Sequence, residues 1–263
     1  MRYLQYRPGP PVSDYVHCLW LLEGESAPEQ VISPDGRMEL ILHYGDRFRQ
    51  ASGLQPRAMV AGQQWRHLRV EATGRVGLVG ARFHAWGSNA VLREQAGEWA
   101  GVIAEASVPA WWIERIAEAR PRQQRLRVFE RLLAERLRPV APPRAVVEAV
   151  RMLQSGVGVA GTAARVGVGE RQLERLFGAW VGLAPKRFAR VARFQRLLRR
   201  VGHAPERWAM IAADLGYYDQ PHLIREFQEL AGCAPSDYNG SSRQLNDWIV
   251  GFFQDGGERA AGG

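Results

Sequence analysis

The sequence is poor in cysteine and lysine and has no long apolar run. Its two cysteines, Cys18 and Cys233, lie far apart in 263 residues, which argues against a disulfide scaffold or a cysteine zinc site and fits a reducing cytoplasm. No apolar stretch approaches the ~18 residues of a membrane span, and the N-terminus lacks the apolar core of a signal peptide. Lys186 is the single lysine among 35 basic residues, a skew that coding bias explains first. We therefore expect a cytoplasmic protein with no membrane partner.

The charge that is present is mainly positive. The formal net charge is +8 and the sequence pI is about 10.1, which makes an anionic partner such as nucleic acid a working hypothesis. Hydrophobic residues make up 46% of the chain, enough for ordinary buried cores. At about 100 to 200 residues per domain, the length predicts two domains.

Short apolar runs bounded by turn formers dominate the first third of the chain. They occupy residues 16–22, 39–44, 58–61, 68–71 and 76–83. Runs of this length predict strands, and Pro34, Asp35 and Gly36 supply the residues of a tight turn. After Gly87 the alternation ends. We expect an α+β arrangement, in which a small antiparallel sheet or cupin-like barrel with added helices precedes an all-α region.

A predicted helix over residues 122–137 is followed by a proline cluster. Its apolar residues recur every three or four positions, at Leu126, Phe129, Leu133 and Leu137. We interpret this stripe as a subunit contact in a possible homodimer, with packing into the protein's own core as the alternative. Three prolines in residues 139–143 cannot continue a helix. The predicted division is therefore a regulatory domain at 1–138, a linker at 139–143, a DNA-binding region at 144–240 and a tail at 241–263.

The region beyond the linker contains an internal repeat. Residues 163–167 reappear at 212–216 with an offset of 49, and the offset then becomes 50 as Leu173, Phe177 and Gly182 match Leu223, Phe227 and Gly232. Each copy is typical of a short helix, a glycine turn and a second helix. The sequence therefore predicts two helix-turn-helix modules.

A basic segment connects the two copies. Residues 186–201 contain seven basic side chains and no acidic one, with apolar residues on the opposite face of the predicted helix. A solvated charged face is the alternative to a DNA-binding face. We predict DNA phosphate contacts from Lys186, Arg187, Arg193, Arg196 and Arg200.

These motifs resemble the DNA-binding domain of AraC/XylS-type transcription regulators. The resemblance covers about residues 145–240 and is carried by residues 170–177, by Gly182-x-x-Pro185, by Ala212-x-x-Leu215-Gly216-Tyr217-Tyr218-Asp219-Gln220-x-His222-Leu223-x-Arg225-x-Phe227 and by Gly232-x-x-Pro235. The first 100 residues resemble the N-terminal part of a subgroup of these regulators, through Tyr6-x-Pro8, Ser13-x-Tyr15-Val16, Pro34-Asp35-Gly36-x-x-Glu39-Leu40-Ile41 and Gly80-x-Arg82-Phe83. The resemblance implies double-stranded DNA as a partner, with RNA polymerase and a small effector as further ones.

Recognition helices of this kind enter the major groove, where the first turns reach base edges. The predicted base contacts are Arg171, Glu174, Arg175, Gln220, Pro221 and Arg225. Arginine can bind guanine through two hydrogen bonds, and glutamine can bind adenine in the same way. Asp219 is suited to cap the second recognition helix, whereas Gly169 stands where a serine usually caps the first. Glu174 is as well suited to pair with a neighbouring arginine as to contact a base.

The N-terminal region has candidate binding residues of a different type. Four aromatic residues could line an effector pocket or fill a core: Trp20, Tyr44, Trp65 and Trp86. Four histidines fall in the same region but lack the spacing of a metal site, and the glycine motif at 156–161 follows a predicted helix rather than the strand that a dinucleotide site requires. We expect no metal and no cofactor.

Three function classes follow from these patterns. The leading hypothesis is a transcription regulator that recognises a specific promoter sequence and is controlled by a small effector. The alternative is a constitutive DNA-binding regulator whose N-terminal domain only dimerises. A small-molecule enzyme or carrier is the third class, but it leaves the repeat unexplained, and we expect no enzymatic activity.

Overall fold

The computed structural model describes residues 1–25, 29–201 and 208–238. The first half of the chain forms antiparallel sheets with three helices, and the second half is helical. This confirms the predicted fold class. None of the helices in the described ranges is long and apolar enough to cross a membrane.

Two antiparallel sheets build the N-terminal half. The six-stranded sheet has the order β1 (Arg2–Tyr6), β2 (Val16–Gly24), β9 (Val76–Phe83), β4 (Glu39–His43), β7 (Ala58–Ala61) and β10 (Ile103–Glu105). The four-stranded sheet has the order β3 (Gln30–Ile32), β8 (Leu68–Ala72), β5 (Phe48–Gln50) and β6 (Gly53–Leu54). All five predicted strands are confirmed, whereas β1, β3, β5, β6 and β10 were not predicted.

The large sheet is buried on both faces. In β2, Leu19 and Leu21 pack under the helices, while Trp20 and Leu22 pack in the cluster shared with the second sheet. This follows the two-residue period of a strand, which sends successive side chains to opposite faces. The core of this half therefore consists of two layers, one on each side of the large sheet.

Three helices cover the first of these layers. They are α1 (Asn89–Leu92), α2 (Trp111–Glu118) and α3 (Gln123–Arg136). The stripe of α3 lies inside this layer, where Phe129 and Leu133 are 0% exposed. The prediction of a subunit contact through this stripe is therefore wrong. The alternative of core packing is correct, because the stripe covers the chain's own sheet.

Six helices follow among the described residues of the C-terminal half. They are α4 (Arg144–Ser155), α5 (Val159–Arg165), α6 (Glu170–Trp180), α7 (Pro185–Val201), α8 (Trp208–Asp214) and α9 (Gln220–Ala231). The predicted linker at 139–143 lies between the end of α3 and the start of α4, and the domain division as a whole stays a prediction. The predicted tail at 241–263 lies outside the described residues.

The repeat is visible in the backbone as well as in the sequence. Gly167 and Gly216, which end the first helix of each copy, have φ of +73° and +74°. Gly182 and Gly232, which follow the second helices, have φ of +85° and +77°. Glycine adopts this left-handed region without the steric cost that a Cβ imposes. The two copies therefore share one chain path, as the offset motifs predict.

Candidate nucleic-acid interface

The second helix of each module is amphipathic and exposes its predicted DNA-binding face. Leu173 and Phe177 of α6 and Leu223 and Phe227 of α9 are fully buried in two separate cores. The six residues predicted to contact bases are all exposed on the outer faces of the two helices: Arg171, Glu174, Arg175, Gln220, Pro221 and Arg225. The structure thus places the side chains on one surface of each module, and their contact with bases stays a prediction.

The start of α9 is well defined. The Asp219 carboxylate accepts a hydrogen bond from the backbone N–H of His222 at 2.7 Å, which confirms the predicted cap. Pro221 lies in the first turn, where its missing N–H costs no intrahelical bond. Tyr218, immediately before the cap, is 92% exposed. Sequence reasoning missed Tyr218, although an aromatic residue directly before the cap of a recognition helix is a readable signal.

Helix α7 joins the two modules through paired phenylalanines. Phe188 of α7 meets Phe177 of α6 edge to face with ring centroids 5.7 Å apart, and Phe194 of α7 meets Phe227 of α9 at 5.5 Å. Aromatic pairs in this geometry stabilise beyond their buried area by about 0.5–1.5 kcal/mol. The apolar face of α7 therefore lies between both cores.

The arginines of α7 are largely occupied inside the protein. The Arg193 guanidinium donates to the Glu226 carboxylate at 2.7 Å and to the Gly216 carbonyl at 3.1 Å, and it stacks on the Tyr217 ring. Arg190 pairs with the same Glu226 at 2.8 Å. Glu226 is 5% exposed, so this is a nearly buried ion-pair cluster. Arg193 therefore holds α9 on α7, and this internal bonding argues against its predicted phosphate contact, which stays untested.

Arg196 has a similar internal role. It donates to the backbone carbonyls of Leu153 and Gln154, at 3.3 and 2.9 Å, where α4 ends. A cation at this position compensates the unpaired carbonyls and the negative end of the helix dipole. Burial is the largest cause that lowers the pKa of Arg196. This internal bonding argues against the predicted phosphate contact of Arg196, which likewise stays untested.

The other three predicted phosphate contacts lie on the surface. Arg200 forms an exposed ion pair with Asp214 at 3.0 Å. Arg187 lies over the Trp65 ring at 4.6 Å, and Lys186 is exposed beside it on the first turn of α7. An exposed ion pair contributes only ~0–1 kcal/mol and can be exchanged for a phosphate contact. For these three residues the phosphate role stays a prediction.

The four aromatic residues proposed for an effector pocket do not come together. Trp20 packs between the two sheets and Tyr44 packs against the layer under the helices. Trp65 and Trp86 pack instead against the core of the first helix-turn-helix module. The single pocket predicted from these residues is therefore wrong, because they belong to three different clusters.

The two halves of the chain contact each other through the predicted Pro34-Asp35-Gly36 turn. Gln195 of α7, which is buried, donates to the Pro34 carbonyl at 2.7 Å, and Gln63 donates to the Gly36 carbonyl at 2.9 Å. Gly36 has φ of +77°, and a Cβ there would lie 3.1 Å from the Phe188 ring. Glycine is thus required both for the turn and for the close approach to α7.

A second contact joins the N-terminal half to the end of α6. The Asn89 side chain donates to the Ala179 carbonyl at 3.0 Å, and the 3₁₀ turn Ala96–Trp99 packs beside it. A Cβ at Gly97 would lie 2.7 Å from the Gly178 carbonyl oxygen, which shows how closely the two backbones approach. The recognition helix α6 therefore rests directly on the N-terminal half.

Within the described ranges, no group of three or more His, Cys, Asp or Glu side chains could hold a metal ion. Two of the four N-terminal histidines, His17 and His84, meet edge to face with ring centroids 5.5 Å apart, and burial lowers the pKa of both.

Two protein-family models match the chain, one in each half. Residues 162–241 match the helix-turn-helix domain family, and residues 4–105 match a domain of unknown function (DUF6597). None of the curated proteins matches the chain.

Among solved structures, the chain is similar to ToxT from Vibrio cholerae. One form has 7% identity and a TM-score of 0.49, covering 90% of this chain and 98% of that one. The unsaturated fatty acid bound wild-type ToxT has 8% identity and a TM-score of 0.45, covering 90% and 96%. Residues 162–241 thus match a helix-turn-helix domain, and the described part of that range contains two modules whose second helices are α6 and α9.

Proposed function

We propose that the protein recognises a specific, asymmetric promoter sequence by placing α6 and α9 in successive major-groove segments about 34 Å apart. The observation that carries this proposal is the equivalent placement of two exposed arginines, Arg175 and Arg225, one on each recognition helix. The connector α7 is held to both modules by its phenylalanines and arginines, so the two helices keep a fixed spacing. A single chain would then read both halves of the site.

The contact residues divide into two classes under this proposal. Arg171, Arg175 and Arg225 read guanines, and Gln220 reads adenine, while Pro221 offers an apolar contact only. Glu174 either accepts from cytosine or orients a neighbouring arginine. Lys186, Arg187, Arg200 and the Tyr218 hydroxyl contact the backbone, which fixes register without reading sequence.

The test starts from a site selected out of random DNA and a scrambled control duplex. Arg225→Ala is expected to weaken binding to the selected site by ~1–3 kcal/mol and to relax the sequence preference at one base pair. The reason is that it removes a bidentate hydrogen-bonded contact with a base. Gln228→Ala, on an exposed position later in the same helix, is the matched control and should leave affinity unchanged. Equal loss of affinity for both duplexes in Arg225→Ala would overturn the base-reading assignment.

Salt dependence separates backbone contacts from internal ones. Lys186→Ala should weaken binding to both duplexes about equally and lower the salt slope by roughly one unit. Arg196→Ala should leave the slope unchanged and reduce thermal stability, because its guanidinium is bound to the end of α4. An unchanged slope in Lys186→Ala would remove that residue from the interface.

We further propose that the N-terminal half controls the DNA-binding half in response to a small effector. The contacts of the Pro34-Asp35-Gly36 turn with α7, and of the 3₁₀ turn with α6, support this, because they connect the sheet region to both the connector and a recognition helix. The alternative is a constitutive regulator whose N-terminal half only dimerises. An effector-dependent change in DNA affinity separates the two, and RNA polymerase and a second copy of the chain remain proposed partners.

A further inference from the structure

The N-terminal half contains a cleft of about 260 Å³. It lies between β7, the segment 106–108 that follows β10, the end of α1, the 3₁₀ turn Ala96–Trp99 and the end of α3. Its floor is apolar and is formed by Val60, Leu92 and Ala106, all of them buried. None of the four aromatic residues first considered for an effector pocket lines it. The cleft is therefore a separate candidate site.

Two arginines stand together on the wall of the cleft. Arg93 donates from Nη2 to the Arg136 carbonyl at 3.2 Å, and Arg136 donates from Nε to the Val91 carbonyl at 3.0 Å. A guanidinium has five N–H donors, so these bonds to backbone carbonyls leave most of the N–H donors of each arginine available. Burial and the neighbouring charge of Arg93 lower the pKa of Arg136, with Glu94 opposing in part. Glu94 lines the same cleft, so two guanidinium groups and one carboxylate share its wall and the charges of these side chains sum to +1.

Two further observations mark the same cleft. The indole Nε1 of Trp99, another lining residue, is buried without a hydrogen-bond partner in the described part of the chain. A buried donor without a partner costs about 1–3 kcal/mol, so the interior beside the cleft contains an unpaired polar group. Arg93 also has φ of +66°, a left-handed conformation in which a long side chain is unfavourable. Strained backbone of this kind is concentrated at binding sites.

We propose that this cleft binds a small organic carboxylate. The two guanidinium groups match a carboxylate, which accepts paired N–H bonds, and the apolar floor formed by Val60, Leu92 and Ala106 takes the body of the ligand. The volume of about 260 Å³ lies just below the ~300–1,000 Å³ of sites for drug-sized ligands, so the occupant is small.

The experiment uses calorimetric titration of the full chain with three probes. Benzoate carries both features of the proposed ligand, benzamide is its neutral counterpart and inorganic phosphate lacks the apolar body. Benzoate is expected to bind with a Kd of about 1 mM or tighter, and the other two at least about tenfold more weakly. Equal binding of benzamide would overturn the role of charge, equal binding of phosphate would overturn the apolar contribution, and absence of benzoate binding would overturn the site.

The variants locate the binding to the cleft. Arg93→Gly removes a guanidinium and places glycine where φ is +66°, so the variant should fold at least as well as the parent. It should weaken the binding of benzoate by about tenfold or more, and Arg136→Gln should do the same. Arg131→Gln, an exposed position on α3 outside the cleft, is the control and should bind as the parent does. Unchanged binding in the folded Arg93→Gly variant would refute the assignment.

This proposal extends the effector control suggested above, but its test is independent of DNA. Ligand binding is measured directly, so failure of the carboxylate site leaves the DNA-reading proposal untouched, and failure of the Arg225 test leaves the cleft untouched. Trp99 ends the 3₁₀ turn whose other face contacts α6. A ligand at the cleft would therefore lie one element away from a recognition helix.

Discussion

His43 is a titratable residue inside the N-terminal core. It ends β4 with its side chain fully buried beside the Phe48 ring, and burial lowers its pKa to about 4. Because the neutral ring is the form that the core accommodates, the folded state binds a proton less readily than the unfolded chain does. The stability that this difference provides is complete above the unfolded pKa of about 6.5 and is lost as pH falls towards 4.

We therefore expect His43→Leu to reduce the acid sensitivity of the fold. Between pH 7 and pH 5 the His43 ring should account for roughly 2 kcal/mol of lost unfolding free energy, and the variant should lack that part of the slope. Urea unfolding at several pH values measures it.

The control for this prediction is Phe48→Leu, which perturbs the same cluster without removing a titratable group. It should lower stability at every pH and keep the parent slope. If His43→Leu and the parent lose stability in parallel between pH 7 and pH 5, the buried neutral ring is not the source of the acid sensitivity.

The exposure of single residues could be predicted for the recognition helices but not for α7. On α6 and α9 a strong 3.6-residue period fixes which side faces the core, so Arg175 and Arg225 could be placed outside from the sequence. On α7 the same periodicity places Arg193 and Arg196 outside as well. Their partners lie 33 and about 40 residues away in sequence, at Glu226 and at the end of α4. Such contacts depend on the tertiary arrangement, which periodicity does not encode.

At the scale of elements, α7 is a connector whose two arginines share one acidic partner on α9. Glu226 accepts from both Arg190 and Arg193, while Glu229, one turn later, pairs with Arg190 on the exposed side. Removing the charge of a nearly buried partner leaves two cations facing each other. The orientation of α9 on α7 therefore depends mainly on Glu226.

Glu226→Gln is expected to lower the unfolding free energy by about 1–3 kcal/mol, less than for a fully buried pair because both arginines remain partly exposed. It should also weaken binding to a two-part DNA site more than binding to the half-site of α6 alone, since the spacing of the helices is loosened. Denaturant unfolding and DNA titration measure the two effects.

Glu229→Gln provides the comparison, because Glu229 is 41% exposed and its pairing contributes less than about 1 kcal/mol. Equal effects of the two substitutions would show that burial of Glu226 does not set the orientation of α9.

The elements that sequence reasoning missed are short or lie at the edges of sheets. Strands β3, β5, β6 and β10 have two or three residues, too few for alternation to be recognised, and β1 is an edge strand with several polar side chains. The sequence predicts helix α3 but not the sheet that its apolar stripe covers. An apolar stripe flanked by arginine and glutamate has the same pattern whether it covers a sheet of its own chain or a second copy, so only the tertiary structure distinguishes the two.

At the scale of the whole molecule, the two halves are joined by buried hydrogen bonds and by a shared apolar cluster, in which Ala85, Trp65 and Trp86 of the N-terminal half pack with the core of the first helix-turn-helix module. The hydrogen bond from Gln195 to the Pro34 carbonyl is buried, and no water can replace the donor if it is removed. The loop that carries Pro34 also positions Asp35 and Glu39 around the buried Arg82 guanidinium. The contact between the two halves therefore lies next to an ion-pair cluster of the sheet region.

We expect Gln195→Leu to lower the free energy of unfolding by about 1–3 kcal/mol. We also expect the two halves of the variant to unfold separately. The parent should show one calorimetric transition, and the variant should show two or a broadened one. Gln172→Leu, at an exposed position on α6, should change stability by no more than ~0.5 kcal/mol. A single sharp transition at the parent temperature in Gln195→Leu would mean that the halves are coupled through other contacts.

The unequal outer faces of α6 and α9 have a consequence for orientation. One helix presents Arg171, Glu174 and Arg175, and the other presents Gln220, Pro221 and Arg225. A two-fold symmetric dimer on a palindrome looks the same from either end of the duplex, whereas a monomer with two different recognition helices does not. Under the proposed function, inverting the site would turn the protein around, so that its N-terminal half faced the opposite flank. The chain would therefore mark a direction along the DNA, as a promoter itself does.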